Sequence, residues 1–334
     1  MFKQWKAVTT VGIALAAGAG TMAAPAGAQI IAADSYRTVT ASPNRAGGEY
    51  LNSTSLASQS AGANVTTIPG FTAVAGGTGS AQFQTTTLGL VNATLEATQA
   101  GSGKITYAAA PLDGANRSTA RNLTMPIPTV STYFVSHLVN RGAITAAPGT
   151  GRDFVGVGFG NATAPIIGTT NLTGVYIGYA GNTGSLVSRY RDAVTGLVTE
   201  TTLIEASGVN LNNTTLLVVA EINVNVSGTS DVVTYYVNPN DFRSSELLAA
   251  SSLVTLTVTA NVLSAPTDFT RLTYFSRDFN SGAFFDEARL GAGGTGVSPA
   301  QALGVTVAAP EPTSLALVLL SGVSLAAKRR KSRA

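Results

Sequence analysis

Short runs of β-branched and aromatic residues recur through the middle of the chain, separated by Gly, Asn, Asp and Pro. One run is 133–139, and the runs 175–180 and 186–191 flank Gly181-Asn182-Thr183-Gly184, a sequence that favours a β-hairpin turn. Between the two ends of the chain, no segment of 12 or more residues has the i, i+3, i+4, i+7 apolar spacing of an amphipathic helix. The pattern therefore predicts strands.

Further strand patterns follow towards the C-terminus. The run 214–226 is first apolar on both faces and then alternates, as expected for a strand with one buried and one half-solvated end. The remaining runs are 232–237, 255–259, 270–275 and 283–290. In 154–159 glycines alternate with large apolar residues, so one face of that strand is expected to be bare. Many short strands at roughly ten-residue spacing predict an all-β fold, an antiparallel β-sandwich.

The N-terminus has the three parts of a secretory signal peptide. Lys3 and Lys6 form a charged segment, and 8–19 is apolar and rich in small residues. Ala26-Gly27-Ala28 then supplies an A-x-A cleavage site, which predicts cleavage between Ala28 and Gln29. A second candidate site, 22–24, is less favourable because Pro25 follows the cut.

The C-terminus combines a stiff tripeptide, a short apolar segment and a basic end. Pro310-Glu311-Pro312 is held extended because each proline fixes φ and disfavours the α region for the residue before it. The apolar run 315–327 is shorter than the ~20 residues of a comfortable membrane-spanning helix. The cluster 328–331 would stay cytoplasmic by the positive-inside bias. A temporary membrane retention signal fits this arrangement, with a permanent C-terminal membrane helix as the alternative.

These three parts, in this order, resemble the PEP-CTERM sorting signal of Gram-negative bacteria. The resemblance implies that an exosortase, a membrane-bound cysteine protease, recognises Pro310, Glu311 and Pro312 and removes the tail after transient retention in the inner membrane. It also implies export to the cell surface or the extracellular matrix.

Composition limits the partners of the remaining chain. The two ends hold seven of the 20 Lys and Arg residues but only one of the 17 Asp and Glu residues, so the part between them is slightly acidic. Lys104 is the only lysine in that part, which argues against a nucleic-acid partner. With no cysteine, an exported chain of this kind must be stabilised by its core alone.

Several segments of the body resemble the laminin-G-like, concanavalin A-type jelly rolls. The segments that carry this resemblance are 132–140, 218–220, 236–239 and Phe285-Asp286-Glu287-Ala288-Arg289-Leu290-Gly291, with 68–72 similar to the family's opening strand. The tryptophan that the family places soon after that strand is absent. The predicted organisation is a signal peptide (1–28), a β-sandwich domain (29–292, with 29–80 a loop-rich edge), a flexible linker (293–309) and a sorting signal (310–334) that includes a short hydrophobic helix.

Reactive residue types are few in the body, and their spacing argues against catalysis. His137 is the only histidine, and alternation places it on one strand face with Tyr133, Val135 and Val139. Asp286 and Glu287 are adjacent in a strand pattern and are therefore expected on opposite faces, where they bind backbone amides or Arg289 rather than one glycosidic bond. The Gly-rich stretch 101–104 lacks the first glycine and the hydroxyl residue of a phosphate loop.

Two binding hypotheses stay open at this stage. The jelly-roll resemblance implies Ca²⁺ held by loop oxygens, for which Asp231 and Asp241 are candidates; no other cofactor is expected. Exopolysaccharide binding is the second, although the body has no tryptophan, so tyrosines would have to stack against sugar rings. The candidates are Tyr176, Tyr179, Tyr190, Tyr235 and Tyr236. The leading expectation is a non-catalytic surface or matrix protein, ahead of a lectin-like module and of a glycan-cleaving enzyme.

Overall fold

The computed structural model describes most of the chain between residues 29 and 305. The described ranges are 29–34, 38–39, 50–51, 54–55, 71–75, 83–86, 89–92, 104–108, 113–124, 127–143, 154–162, 164–170, 172–224, 230–263, 268–279 and 281–305. The predicted signal peptide (1–28) and sorting signal (310–334) lie outside them.

Strands account for nearly all regular structure in these ranges. The strands are β1 (Gln29–Asp34), β2 (Thr38–Val39), β3 (Tyr50–Leu51), β4 (Thr54–Ser55), β5 (Phe71–Ala75), β6 (Phe83–Thr86), β7 (Lys104–Tyr107), β8 (Asn116–Leu123), β9 (Thr132–Arg141), β10 (Phe154–Gly160), β11 (Gly174–Ala180), β12 (Leu186–Arg191), β13 (Val198–Ile204), β14 (Thr215–Asn223), β15 (Asp231–Val237), β16 (Val254–Ala260), β17 (Arg271–Arg277) and β18 (Ala283–Ala292). The helices are α1 (Ser245–Ser251) and α2 (Pro299–Leu303). Neither of these short helices is long and apolar enough to cross a membrane.

All of these strands except β2 and β3, which pair with each other in parallel, form two antiparallel sheets that pack face to face. The nine-stranded sheet has the order β16-β15-β14-β9-β18-β7-β6-β4, with β1 also paired to β18. The seven-stranded sheet has the order β13-β12-β11-β10-β17-β8-β5. Consecutive strands repeatedly change sheet, as in β7, β8 and β9. The prediction of an all-β, antiparallel jelly-roll sandwich is confirmed.

Alternation along the strands decides which side chains enter the core. On β14, Leu216, Val218 and Ala220 face the main core between the sheets, whereas Leu217 and Val219 belong to a second cluster on the outer side. Because α1 and α2 cover that outer side, β14 is apolar on both faces, as its sequence predicts. A third cluster lies on the outer side of the seven-stranded sheet.

The glycine face of β10 is filled by two aromatic rings. A Cβ at Gly156 would lie 2.6 Å from Cε1 of Phe154, and one at Gly158 would lie 2.8 Å from Cδ1 of Tyr176. The guanidinium of Arg189 stacks on the Phe154 ring with a 4.3 Å separation. The bare sheet face expected from the sequence is therefore a packed surface.

The segment predicted to be a flexible linker, 293–309, folds onto the sandwich over its described part. Ser298 and Gln301 form a capping box at the start of α2, and Gly304 ends the helix in the left-handed conformation at φ 62°. Ala302 and Leu303 are buried against the nine-stranded sheet. The linker prediction is therefore wrong for 293–305. The sequence did not reveal α2 because a five-residue helix is too short to show helical periodicity.

Candidate functional site

Within the described residues, a pocket lined mainly by residues with polar side chains opens at one end of the sandwich and is a candidate binding site. Its lining comes from the end of β9, the turn between β11 and β12 and the loop after β13, and its volume is about 480 Å³. The residues that line it are Arg141, Thr183, Ser185, Glu205, Ala206, Ser207 and Asn212. We call it the rim pocket.

Arg141 forms the rigid wall of the rim pocket. Its guanidinium donates to the carbonyl of Gly184 and, at 2.7 Å, to Oδ1 of Asn212. The side chain is buried, and this burial lowers the pKa of the guanidinium. The Arg141 carbonyl accepts a 2.7 Å hydrogen bond from the amide of Asn213, whose φ is 55°. Arg141 thus fixes both loops that border the pocket.

The opposite wall presents a carboxylate whose position is set by a buried serine. Ser185 donates from Oγ to Oε2 of Glu205 at 3.2 Å and accepts from the amide of Ala206 at 3.0 Å. Glu205 itself is exposed, as are Thr183, Ser207 and Asn212. The rim pocket therefore combines a carboxylate, an amide and hydroxyl groups, which can hydrogen-bond a neutral polyhydroxylated ligand.

His137 lies in the main core, on the face that its strand alternation predicts. Its ring stacks on Phe159 with a centroid separation of 5.5 Å. Full burial lowers the pKa of the imidazole to about 3, so the ring is neutral at physiological pH. Within the described ranges neither ring nitrogen has a hydrogen-bond partner. A neutral, enclosed imidazole has the character of a packing residue.

The expectation that Asp286 and Glu287 face opposite sides of the sheet is wrong. The register between β18 and β9 shifts between Asp286 and Arg289, and Glu287 adopts a positive φ of 50°. This β-bulge turns Glu287 to the outer side, where Asp286 and Arg289 also lie. A bulge breaks the two-residue period on which the face assignment depends.

The hydrogen-bond partners expected for these two carboxylates, backbone amides and Arg289, are confirmed. Asp286 accepts from the amides of Leu90 and Glu287, both at 2.8 Å, and Glu287 accepts from Nη2 of Arg289 at 2.9 Å. Arg289 also donates to the carbonyls of Leu303 and Gly304 at the end of α2. Burial, and then the neighbouring Glu287 charge, raises the pKa of Asp286 well above its usual value. Arg289, held by Glu287, therefore fastens the end of α2 to the sheet, whereas Asp286 holds the segment that contains Leu90.

The tyrosines considered as sugar-stacking platforms are inside the protein. The buried set comprises Tyr176, Tyr179, Tyr190, Tyr235 and Tyr236. Tyr235 accepts a 2.9 Å hydrogen bond from Ser188, and Tyr236 donates to Glu221 at 2.7 Å. A sugar in solvent therefore cannot reach these rings, and the five tyrosines are packing residues of the protein interior.

The two acids considered for Ca²⁺ are already engaged. Asp231 is buried and accepts from the amide of Leu263 at 2.9 Å, whereas Asp241 accepts from the guanidinium of Arg243. In the part of the chain that the structure describes, no group of three or more His, Cys, Asp or Glu side chains could hold a metal ion. Both carboxylates therefore have other hydrogen-bond partners, and calcium binding stays a prediction.

The residues predicted for processing fall at or beyond the ends of the described sandwich. Gln29 is exposed and begins β1, opposite Ala292 of β18. Ala28, Pro310, Glu311 and Pro312 lie outside the described residues. No sequence pattern points to the rim pocket, because its residues come from three separate segments with no motif in any of them.

Comparison with known proteins yields similarity at the level of folded shape only. No family model matches the chain, and no curated protein matches it. An endo-β-1,4-glucuronan lyase from the fungus Trichoderma reesei has 10% identity and a TM-score of 0.40, covering 67% of this chain and 93% of its own. A legume lectin-like domain from Entamoeba histolytica has 10% identity and a TM-score of 0.30, covering 64% and 91%. Similarities this low carry no argument about what this chain binds or catalyses.

Proposed function

We propose that this chain is an exported, exosortase-processed protein of the Gram-negative cell surface or extracellular matrix, with a non-catalytic β-sandwich. The observation that carries the proposal is the residue pattern at the two ends, with a charged segment, an apolar run and an A-x-A site in 1–28, and a Pro-Glu-Pro tripeptide, an apolar run and a basic end in 310–334. Cleavage after Ala28 would leave Gln29, which pairs with Ala292 of β18, as the first residue of the mature chain.

The two ends of the sandwich also lie next to each other. β1 pairs with β18 through Gln29 and Ala292, and α2 packs against both strands. The reactive groups of the body have structural roles: His137 packs in the core, Asp286 binds the Leu90 amide, and Glu287 holds Arg289, which binds the end of α2. These roles support a protein that displays a surface rather than one that turns over a substrate.

Fractionation of the native host with mass spectrometry of both termini tests this proposal. We expect protein that starts at Gln29, lacks the segment after the tripeptide and is found in the envelope or matrix fraction. Replacing Glu311 by alanine should leave the tail attached and the protein in the inner membrane, because the carboxylate of the recognition element is lost. The matched variant Thr313→Ala should be processed normally. Cytosolic protein with both ends intact would contradict the proposal.

A second candidate function is saccharide binding, and the rim pocket is the observation that favours it. The pocket presents the Glu205 carboxylate, the Asn212 amide and the hydroxyl of Ser207 to solvent. Pockets that combine carboxylate, amide and hydroxyl groups suit the closely spaced hydroxyls of a sugar. An exported surface protein would meet such groups in exopolysaccharide.

Replacing Glu205 by alanine should weaken binding of the host's exopolysaccharide fragments by about 10- to 100-fold, since a hydrogen bond to a charged group contributes roughly 1.5–3 kcal/mol. Isothermal titration with purified oligosaccharides measures the effect. Glu246→Ala, which removes an exposed carboxylate from α1, serves as the matched control and should bind like the parent protein. Equal binding by both variants, or no binding by the parent protein, would remove this candidate.

A further inference from the structure

β16 is one edge strand of the nine-stranded sheet, and its residues 254–259 are uncharged. β16 ends the sheet and pairs with β15 on one side. On its other side, the described residues contribute a bridge to its last residue, Ala260, from Asp192. The six residues before Ala260 contain no charge, proline or glycine, whereas β13, at one edge of the other sheet, carries Glu200. Natural proteins commonly protect open edges with such residues.

Half-buried and exposed side chains alternate along the whole of β16 up to Ala260. Thr255, Thr257 and Thr259 are exposed on the outer side, while Val254, Leu256 and Val258 are half-buried against the main core. Thr257 already makes a hydroxyl–hydroxyl contact of 3.1 Å with Thr234 on β15. The outer side of β16 is therefore a row of threonines. Their hydroxyl groups could make the same kind of contact with threonines on a further strand.

The β16 sequence is also self-complementary when it is read antiparallel. A two-fold axis at Thr257 pairs Thr257 with its own copy, Thr255 with Thr259, and Leu256 with Val258. Every threonine then meets a threonine on the outer side, and every apolar residue meets an apolar residue on the core side. A one-residue slip would place threonine against leucine or valine, which the two-residue period of a strand forbids.

We propose that two copies of this protein associate through antiparallel pairing of β16, which joins their nine-stranded sheets into one continuous sheet. The pairing satisfies backbone groups along residues 255–259, and cross-strand threonine and aliphatic pairs add to it. A second copy fits this edge because the strand has no charge with which to select a charged partner and because its own sequence is the complement it needs. The association does not depend on export or on saccharide binding.

Single cysteine variants of the full chain test both the association and its register, because the natural sequence contains no cysteine. At Thr257 the two cysteines would face each other across the axis, within the Cα separation that a disulfide allows. At Thr259 the two copies would be four residues apart along the strands, about 13 Å, which is too far. Thr199→Cys on β13 is a control for random collision.

We expect Thr257→Cys to form a disulfide-linked dimer at least tenfold faster than Thr259→Cys or Thr199→Cys. Sedimentation of the unmodified chain should show a dimer, and Thr257→Lys should be monomeric with unchanged circular dichroism, since two lysines would meet at the axis. A monomeric parent protein, equal cross-linking rates at the three positions, or cross-linking of Thr257→Cys to a different host protein would overturn the proposal.

Discussion

The variant Asp34→Asn is expected to lose roughly 3–5 kcal/mol of unfolding free energy, because it leaves a buried guanidinium without its carboxylate partner. Asp34 on β1 of the nine-stranded sheet pairs with Nη1 of Arg121 on β8 of the seven-stranded sheet. Their side chains are 2% and 0% exposed, so the pair crosses the core where water cannot screen it. Arg121 also stacks on the Phe71 ring with a 4.4 Å separation, which holds the guanidinium in place.

Urea unfolding followed by circular dichroism measures this loss. The double variant Asp34→Leu/Arg121→Met should recover most of the stability, because replacing both partners removes the charge as well as its desolvation cost. Asp113→Asn, which breaks an ion pair at an exposed carboxylate, serves as a control and should change little. If Asp34→Asn unfolds at the same urea concentration as the parent protein, the pair does not stabilise the sandwich.

Stability should fall as the pH rises from about 4.5 to 7, which is the reverse of ordinary acid denaturation. Burial raises the pKa of Glu287 from 4.5 to about 7, despite the favourable Arg289 charge. The folded protein therefore binds this proton more tightly than the unfolded chain does. The stabilisation from this Glu287 proton is complete below pH 4.5. As the pH rises through 7, the free energy of unfolding falls by roughly 3 kcal/mol. The raised pKa of Asp286 acts in the same direction.

The variant Glu287→Gln should reduce the slope of unfolding free energy against pH in this interval, because the proton bound by Glu287 no longer contributes to it. It should be more stable than the parent protein at pH 8 and close to it at pH 4.5. Asp113→Asn is the control: hydrogen bonds from the Ala115 amide and from Arg117 lower the pKa of that carboxyl, so it titrates below the interval. Stability that rises between pH 4.5 and 7 in the parent protein would contradict the assignment.

Residue patterns correctly predicted the strands that bury β-branched and aromatic side chains, including the β11–β12 hairpin and β14. They missed β8, whose sequence is Asn-Arg-Ser-Thr-Ala-Arg-Asn-Leu, because its buried positions include two arginines. A charged residue in the core is acceptable only where another element supplies its partner, as β1 does for Arg121. That partner is 87 positions away in the chain, so no local pattern reveals it.

The candidate site was even less accessible to sequence reasoning than β8. Arg141, Ser185 and Glu205 have no recognisable spacing, and they meet because β9 and the β12–β13 pair end at the same side of the sandwich. The tyrosines that the sequence offered instead are core residues. Burying an aromatic ring between the two sheets is more favourable than leaving it exposed to solvent. Few rings are therefore left at the surface to contact a ligand.

The sequence by itself predicts targeting segments at the two ends, and it determined the antiparallel β-sandwich between them. These predictions depend on local patterns: the placement of charges, the small residues of a cleavage site and the two-residue alternation of a strand. Each pattern involves only residues close together in the chain, so it does not depend on the tertiary structure. The tertiary structure alone decided that Glu287 turns outward at a bulge, that residues after β18 pack as α2, that Asp34 meets Arg121 and that the rim pocket exists. Each of these depends on two or more segments distant in the chain, whose mutual position follows only from how the sheets pack.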